Sequence, residues 1–372
     1  MSPILIIAGT RPECLKLVAL VRALRAYESP PTHLVSSGQH PQMVRDTLAP
    51  WGLAPDFELA PVSPGSLSGQ VRWMRDRVRM LCEELRPVLL VVQGDTSSAY
   101  AGALAARAAG VELVHVEAGL RTSDPMRPFP EEPFRRRIGA LADWHFAPTP
   151  SAARNLLDEG VAAARIHTSG NTGVDALRLA LAEPAPGHAL RWQERFAHLL
   201  VLTLHRRENY GPKLEQICLG VRELLNLNPQ LGVVCPVHPN PAVGTRVRRI
   251  LGGHPRILLT APLDYRPFVQ LLSEARLVIT DSGGIQEEAP YLGVPVVVVR
   301  ENTERPEALA CGNTHLVAAE SNALIVAAQE WLAAAPPPAH VFASGAPFGD
   351  GRAADRIAQV LMTLAEHLTA AV

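Results

Sequence analysis

The sequence predicts an α/β protein made of two doubly wound, Rossmann-like units. Short apolar runs that end at Gly, Asp, Asn or Thr alternate with helix-like segments, and this rhythm begins again in the second half of the chain. The runs lack polar alternation, which is typical of parallel strands covered by helices on both faces. The length of 372 residues also exceeds what one hydrophobic core usually supports.

Strands are expected at regular intervals in both halves. In the first half they fall within residues 4–10, 32–38, 88–95, 112–119 and 144–149. In the second half they fall within residues 199–206, 231–239, 256–262, 275–284 and 294–299. The segment after the first strand predicts a helix, because apolar residues recur along one face at Leu17, Leu20, Val21 and Leu24.

Two Pro-rich segments interrupt this rhythm. Residues 183–188 (EPAPGH) resemble a linker between the halves, and residues 335–340 (APPPAH) are expected to end the second unit. The remainder, residues 350–368, has the pattern of a terminal amphipathic helix.

Charge and hydropathy exclude several classes of function. The formal net charge is -1, and no run of Lys or Arg provides the basic surface that nucleic acids require, so no nucleic-acid partner is expected. No segment approaches the roughly 20 apolar residues that span a bilayer, and the opening residues lack the basic leader of a signal sequence. We therefore expect a cytoplasmic protein without a membrane partner.

Cysteine and histidine usage argues against a metal site. The five cysteines are scattered without a C-x-x-C pair, and are expected to be buried apolar side chains in a reducing compartment. The 13 histidines form neither an HExxH motif nor a cluster with Cys at zinc spacing. No metal is expected.

Polar residues that close the predicted strands are the candidates for chemistry, because ligands bind beyond the carboxyl ends of strands in open parallel sheets. The first candidate is GTRPE, residues 9–13, a strand followed by a turn into a helix. Backbone amides at this helix start, together with Arg11 and Lys16, could hold a phosphate. An ordinary turn with two solvated cations fits the spacing equally well.

Acidic residues follow at three places. Asp95 and Glu117 each close an apolar run, where a carboxylate is kept if it is paired, hydrogen-bonded or functional. Asp95 has an alternative role as the N-cap of the next helix, whereas Glu117 has none because a Gly and an Arg follow it. The pair Glu131 and Glu132 stands among prolines in RPFPEEPFRRR, with a charged surface turn as the alternative.

The second half has its own polar cluster. TLHRRENY brings His205 and Arg206 to a strand end, where the concentration of polar groups favours function over a purely structural histidine. In DSGGIQEEA, residues 281–289, a Ser and two Gly residues at a predicted helix start form a second potential phosphate cradle, and Arg305 follows in TERPEAL. Two anion-binding turns, one per half, suggest a diphosphate held between the halves.

Together, these motifs resemble the non-hydrolysing UDP-N-acetylglucosamine 2-epimerase family. The motifs that carry the resemblance are GTRPE, QGDT, HVEAGLR, PFPEE, GNTGVDAL, HRREN, PVHPNP, DSGGIQEE and TERPE. Each motif alone would be weak, but they occur in order from residue 9 to about residue 315, which is specific.

The resemblance implies a fold, an assembly and a reaction. The fold is that of GT-B glycosyltransferases, with a cleft between residues 1–170, completed by the helix in 350–372, and residues 171–349. Members form homodimers, need neither NAD nor a metal, and supply cell-surface polysaccharide synthesis. They interconvert UDP-N-acetylglucosamine and UDP-N-acetylmannosamine by eliminating UDP to a 2-acetamidoglucal intermediate and adding UDP back. Domain closure over bound UDP is expected.

The resemblance also assigns roles to residues of the matching motifs. The implied catalytic residues are Asp95, Glu117, Glu131 and His205, with the histidine near the departing diphosphate. The implied contacts of UDP and the sugar are Arg11, Lys16, Phe268, Ser282, Gly283, Gly284, Glu288 and Arg305. Of these, Glu288 would lie on the ribose and Phe268 near the uracil. A second UDP-N-acetylglucosamine, an activator in some members, would contact Gln39, His40, Gln42, Arg206 and His238.

The chain departs from the family pattern at two places. Pro133-Phe134-Arg135 stands where the family has small-Asn-Arg, and Leu263 stands where it often has Gln, which leaves room for a modified UDP-amino sugar. Three rival functions are a hydrolysing epimerase that releases UDP and N-acetylmannosamine, a GT-B glycosyltransferase, and a UDP-sugar sensor without turnover. Intact GTRPE and TERPE argue against the hydrolysing epimerase, and the retained carboxylates argue against the glycosyltransferase and the sensor.

Overall fold

The computed structural model describes residues 2–63, 65–183, 196–303, 305–335 and 347–370. The chain divides into unit 1, Met1–Ala176 with Phe348–Val372, and unit 2, Leu177–Pro347. The sequence placed these limits at 170/171 and 349/350. The predicted linker 183–188 and the Pro-rich segment 335–340 lie outside the described residues, apart from the first residue of each. Within the described ranges, none of the helices combines the length and the apolar character of a membrane span.

Unit 1 is built on a seven-stranded parallel sheet. Its strands are β1 (Ile4–Ala8), β2 (Thr32–Ser36), β3 (Phe57–Glu58), β4 (Leu89–Gln93), β5 (Glu112–Val116), β6 (Trp144–Ala147) and β7 (Ile166–Thr168). The spatial order is β3-β2-β1-β4-β5-β6-β7, so strand order reverses between β1 and β4. Ligands of doubly wound sheets bind near this switch point.

Helices alternate with these strands along the chain. They are α1 (Arg11–Arg25), α2 (Pro41–Leu48), α3 (Leu67–Leu85), α4 (Ser97–Ala109), α5 (Glu131–Leu141), α6 (Pro150–Asp158) and α7 (Thr172–Ala182). Helix α1 begins with a capping box between Thr10 and Glu13, and Pro12 occupies its first turn. Its predicted buried face is confirmed, because four apolar residues are fully buried there: Leu17, Leu20, Val21 and Leu24.

Helix α4 packs closely on the sheet because its buried face consists of small residues, mainly Ala. A Cβ atom added at Gly102 would lie 2.8 Å from Val92 Cγ1 and 3.3 Å from Ile7 Cγ1. The helix backbone therefore contacts β4 and β1 side chains directly. This close packing fixes the distance between the first turn of α4 and the sheet at the switch point.

Unit 2 repeats the architecture with a six-stranded parallel sheet. Its strands are β8 (His198–Thr203), β9 (Leu231–Pro236), β10 (Ile257–Thr260), β11 (Leu277–Thr280), β12 (Val296–Val299) and β13 (Thr314–Val317). Its helices are α8 (Pro212–Leu227), α9 (Pro241–Leu251), α10 (Tyr265–Ser273), α11 (Gly283–Leu292), α12 (Pro306–Ala310) and α13 (Ser321–Ala333). The order β10-β9-β8-β11-β12-β13 places its switch point between β8 and β11.

The last helix, α14 (Ala353–Ala370), returns to unit 1 and packs against α1. The buried Asp175 carboxylate accepts the amides of Ala353 at 3.1 Å and Ala354 at 2.9 Å. This side chain therefore satisfies two of the unpaired donors at the start of α14.

The predicted α/β fold of two Rossmann-like units is confirmed, and every predicted apolar run contains a strand. The sequence missed β3, β7 and β13, which lie at sheet edges. Edge strands are short and partly exposed, so they lack the continuous apolar run on which the prediction depended.

Candidate active site

Two predicted catalytic carboxylates follow neighbouring strands of unit 1. Strands β4 and β5 pair in parallel, with Gln93 opposite Val116. Glu117 comes directly after β5, and Asp95 lies two residues after β4. Both residues are partly buried. The structure therefore brings them to the same edge of the sheet, beside the switch point.

Glu117 is held by two donors within unit 1. Lys16 Nζ pairs with Oε1, and Gln93 Nε2 donates to Oε2. The backbone of Glu117 has a φ of 63°, in the left-handed region. A non-glycine residue there costs about 1–3 kcal/mol, and such strain concentrates at functional sites. The backbone and both donors together fix the direction of this carboxylate.

Asp95 is paired with a buried arginine. Its Oδ2 lies 2.6 Å from Nη2 of Arg135, a residue of α5. The alternative role of Asp95 as an N-cap is wrong: the N-cap of α4 is Thr96, whose side chain accepts the amide of Ala99 at 3.0 Å. Because Thr96 accepts the backbone amide at the start of α4, the Asp95 carboxylate can pair with another residue.

The two acidic residues at the start of α5 differ in environment. Glu132 is fully buried, and its Oε2 accepts Nη1 of Arg135 at 3.0 Å and the amide of Thr122 at 3.3 Å. Glu131 is partly buried, and its side chain has no hydrogen bond or ion pair with any residue that the structure describes. Of the pair, Glu132 is structural, and Glu131 is the one available to a ligand.

A further carboxylate, Glu13, lies buried at the switch point. It accepts the amides of Gly9 at 3.0 Å and Thr10 at 2.8 Å, and the hydroxyls of Thr10 at 2.9 Å and Thr96 at 2.5 Å. Burial raises the pKa of Glu13 to about 7, although these hydrogen bonds lower it. The expected phosphate cradle is therefore wrong in one respect: the Gly9 and Thr10 amides are already bound. Arg11 remains partly buried at the start of α1.

In unit 2, a His–Asp pair bridges the switch-point strands. His205 follows β8, and its Nδ1 lies 2.9 Å from Oδ1 of Asp281, which follows β11. Asp281 is fully buried and also accepts the amides of His205 and Arg206 and the side chain of Asn209. Burial raises the pKa of Asp281, but these hydrogen bonds, led by that of His205, hold it below its usual value. With Nδ1 engaged, Nε2 is the atom that His205 can offer to a ligand.

The start of α11 has the properties of an anion site. Ser282 is the N-cap, and within the described parts of the chain no acceptor meets the amides of Gly283 and Gly284. Arg305 lies beside them, with its Nε donating to buried Glu287 at 2.6 Å. A Cβ at Gly283 would lie 2.7 Å from Nη1 of Arg305, so a larger residue there would displace the guanidinium. Amides, helix dipole and guanidinium thus converge on one place.

The predicted contacts of the nucleoside lie on α10 and α11. Glu288 is partly buried, and its Oε1 accepts the Tyr265 hydroxyl at 2.8 Å. Burial raises the pKa of Tyr265 well above its usual value, so this residue is a donor at neutral pH. Phe268 is partly buried and packs on the core of unit 2. Their roles toward ribose and uracil remain predictions.

The predicted activator contacts are divided between the units. Gln39 Oε1 accepts the amide of Ser98 at 3.1 Å and its hydroxyl at 2.6 Å. Gln42 is exposed and bonds to side chains of its own helix, α2. In unit 2, the ring centroids of His205 and His238 are 6.2 Å apart. The full set is Gln39, His40 and Gln42 in unit 1, with Arg206 and His238 in unit 2. Activation itself stays a prediction.

Three site residues escaped the sequence prediction: Glu13, Arg135 and Asp281. Asp281 follows an apolar run, which is the same signal that identified Asp95 and Glu117. Glu13 had only the local signal of a capping box with Thr10, and its contact with Thr96 is distant in sequence, as is the contact of Arg135 with Asp95. No group of three or more His, Cys, Asp or Glu side chains arranged to hold a metal ion occurs in the described ranges.

The chain is similar in sequence and in fold to proteins described as UDP-N-acetylglucosamine 2-epimerases. A model of the family described as UDP-N-acetylglucosamine 2-epimerase matches residues 22–362. The UDP-N-acetylglucosamine 2-epimerase of Yersinia pestis is 38% identical over 367 residues, covering 96% of this chain and 98% of its own.

Solved structures agree with this family match. UDP-GlcNAc 2-epimerase from Neisseria meningitidis, bound to UDP-GlcNAc, has a TM-score of 0.88 and 32% identity, covering 97% of this chain and 100% of its own. The Methanocaldococcus jannaschii enzyme, in complex with UDP-GlcNAc and UDP, has a TM-score of 0.84 and 32% identity, with 97% and 99% covered. The chain is therefore an isomerase that belongs to the UDP-N-acetylglucosamine 2-epimerase family.

Proposed function

We propose that this protein is a non-hydrolysing epimerase that interconverts UDP-N-acetylglucosamine and UDP-N-acetylmannosamine. The observation that supports this most directly is the pair of carboxylates at neighbouring strand ends of unit 1. Each has its own cation, Arg135 for Asp95 and Lys16 for Glu117. Each cation holds its carboxylate in place, and a positioned carboxylate can accept a proton from carbon or return one to it.

Inversion at C2 requires one group to remove a proton and another to return a proton to the opposite face. In the first step, a carboxylate takes the C2 proton, the C1–O bond breaks with its electron pair leaving on UDP, and a C1–C2 double bond forms. The product is 2-acetamidoglucal. In the second step, an acid protonates C2 from the other face while a phosphate oxygen of UDP bonds to C1 again. We assign these transfers to Asp95, Glu117 and Glu131.

Unit 2 supplies the groups that hold UDP in this proposal. The amides of Gly283 and Gly284 and the Arg305 guanidinium bind the diphosphate, whose negative charge grows as the C1–O bond breaks. His205 presents Nε2 to the same charge, because Asp281 holds its Nδ1. The steps cause no net oxidation or reduction, so the proposed reaction consumes no nicotinamide cofactor.

The test is incubation with UDP-N-acetylglucosamine in deuterated water, followed by proton and phosphorus NMR. We expect UDP-N-acetylmannosamine with deuterium at C2, formed roughly 100-fold to 10,000-fold more slowly by Asp95→Asn. Recovery of a UDP-sugar without label would refute the proposal. Accumulation of UDP and free N-acetylmannosamine would identify the hydrolysing reaction instead. Binding of UDP without turnover of this sugar would refute the proposal in favour of a modified UDP-amino sugar substrate or a sensor without turnover.

A further inference from the structure

We infer that Arg135 is a positioning residue that aims Asp95 and Glu131 at the same reacting carbon. This inference rests on the proposed function, because it concerns two of the proposed proton carriers. Asp95 stands after strand β4, whereas Glu131 is the first residue of helix α5. The relative position of the two carboxylates therefore depends on how α5 is fixed to the end of β4.

Arg135 makes that connection from a buried position. Its Nη2 is 2.6 Å from Asp95 and its Nη1 is 3.0 Å from Glu132. Arg135 is 6% exposed and Glu132 is 0% exposed. The planar guanidinium offers donors in fixed directions, so one side chain holds both carboxylates in a defined geometry. A lysine ammonium supplies the charge without that geometry.

The spacing along α5 transmits this connection to Glu131. Residues four apart lie on the same face of a helix, so Glu131 and Arg135 share a face of α5. When Arg135 is drawn to Asp95, that face turns toward the end of β4 and takes Glu131 with it. Glu132 adds a second fixed point, since it also accepts the amide of Thr122 in the segment after β5.

A separate apolar contact holds α5 on α4. The Phe134 ring stacks on Tyr100 with centroids 4.7 Å apart and planes 24° apart. This contact keeps the helix in place, whereas the Arg135 ion pairs set its alignment. Phe134, which stands where the family has Asn, therefore supplies aromatic packing between two helices. A conservative change at Arg135 is thus expected to alter the aim of Glu131 while α5 stays folded.

The experiment compares Arg135→Lys with Arg136→Gln. Arg136 is the matched control, because it is on the same helix and lies 3.0 Å from Glu132, but its ion pairs within the described residues are with Glu132 and Glu159 rather than Asp95. A double variant, Glu132→Gln with Arg135→Gln, removes both buried charges of this pair together, so that Glu132 is not left as a buried carboxylate without Arg135. For each protein we would measure kcat, the dissociation constant of UDP, and the ratio of released 2-acetamidoglucal to UDP-N-acetylmannosamine.

For Arg135→Lys and the double variant, we expect kcat to fall about 100-fold, because an error of roughly 1 Å in aim has an effect of that size. We expect the released glycal to increase about tenfold relative to product, because slow reprotonation lets the intermediate escape, while UDP affinity changes less than about twofold. Arg136→Gln should resemble the wild type.

Two outcomes would overturn the inference. Unchanged partitioning in Arg135→Lys and the double variant would do so, because a smaller fraction of folded enzyme lowers the rate without changing the fate of each intermediate. An equal effect in Arg136→Gln would also overturn it, since that residue shares only the Glu132 partner. A wild-type enzyme that exchanges no deuterium at C2 would instead refute the proposed function, and the inference with it.

Discussion

Buried carboxylates determine the local geometry at both switch points. Glu13 joins the turn after β1 to Thr96 at the start of α4, and the two residues are 83 positions apart. Asp281 joins the segments after β8 and β11 in the same manner. Neither acid is exposed, so each acts by accepting hydrogen bonds rather than by contacting solvent.

The raised pKa of Glu13 predicts a specific pH dependence. The folded protein retains this proton up to about pH 7, whereas the unfolded chain releases it near 4.5. The stabilising effect of the bound proton is complete below pH 4.5 and is lost as the pH rises through 7, a loss on the order of 3 kcal/mol. Glu13→Gln is neutral throughout and should lose this dependence. Urea unfolding midpoints at pH 5 and pH 8 would measure it.

Exposed Glu84 provides the control for that measurement, because Glu84→Gln makes the same chemical change in solvent. Its unfolding midpoint should change with pH as that of the wild type does. Parallel pH curves for wild type and Glu13→Gln would contradict the prediction.

The sequence identified those site residues whose signal is local. Asp95, Glu117 and His205 each follow an apolar run. Burying a polar group at such a position costs free energy unless the group is hydrogen-bonded or paired, so its presence there is informative. Glu13 and Arg135 could not be identified in this way. Their importance depends on Thr96 and Asp95, which the fold brings to them from other elements.

At the scale of elements, the strands inside the two sheets were predictable, whereas three of the four edge strands, β3, β7 and β13, were not. A central strand such as β1 is buried at all five residues, so its sequence is continuously apolar. β7 contains a histidine and is partly exposed, so its three residues look like a loop. The attachment of α14 to unit 1 came from the family resemblance, because no periodicity indicates which surface an amphipathic helix covers.

The cap of α14 allows a test of that attachment. Asp175→Ala removes the acceptor for the amides of Ala353 and Ala354 and should destabilise unit 1 by about 1–2 kcal/mol. Asp355→Ala, on the exposed face of α14, should have a smaller effect. Chemical unfolding gives the difference, and hydrogen exchange should show faster exchange in the first turn of α14. Equal destabilisation by both variants would argue against the capping role.

At the scale of the whole molecule, two sheets with the same switch-point order present different chemistry. Unit 1 presents carboxylates that are paired with cations, which suits proton transfer. Unit 2 presents a helix start, Arg305 and His205, which suit a diphosphate. The sequence indicated the acidic motifs of unit 1 and the anion-binding turn of unit 2, because each falls at a strand end. It also predicted an anion-binding turn at GTRPE, whose Gly9 and Thr10 amides are bound by Glu13.

This division predicts that binding and turnover separate by mutation. Asp95→Asn and Glu117→Gln should bind UDP about as tightly as the wild type while kcat falls roughly 100-fold to 10,000-fold. Arg305→Lys keeps the positive charge but loses the planar set of donors that a guanidinium offers to a phosphate, so UDP should bind about tenfold more weakly. Calorimetry with UDP and steady-state kinetics would separate the effects. Loss of UDP affinity in the unit 1 variants would contradict this division.

The close packing of α4 on the sheet has a consequence for how natural variants of this enzyme are interpreted. Gly102 contacts no proposed ligand, yet any side chain there would push α4 away from Val92 and Ile7. Thr96 and the adjacent Asp95 would move with it. The distance of a residue from the substrate is thus a poor guide to whether its substitution is tolerated. A small change such as Gly102→Ala is expected to be damaging, although it lies beneath this helix and away from the proposed ligand.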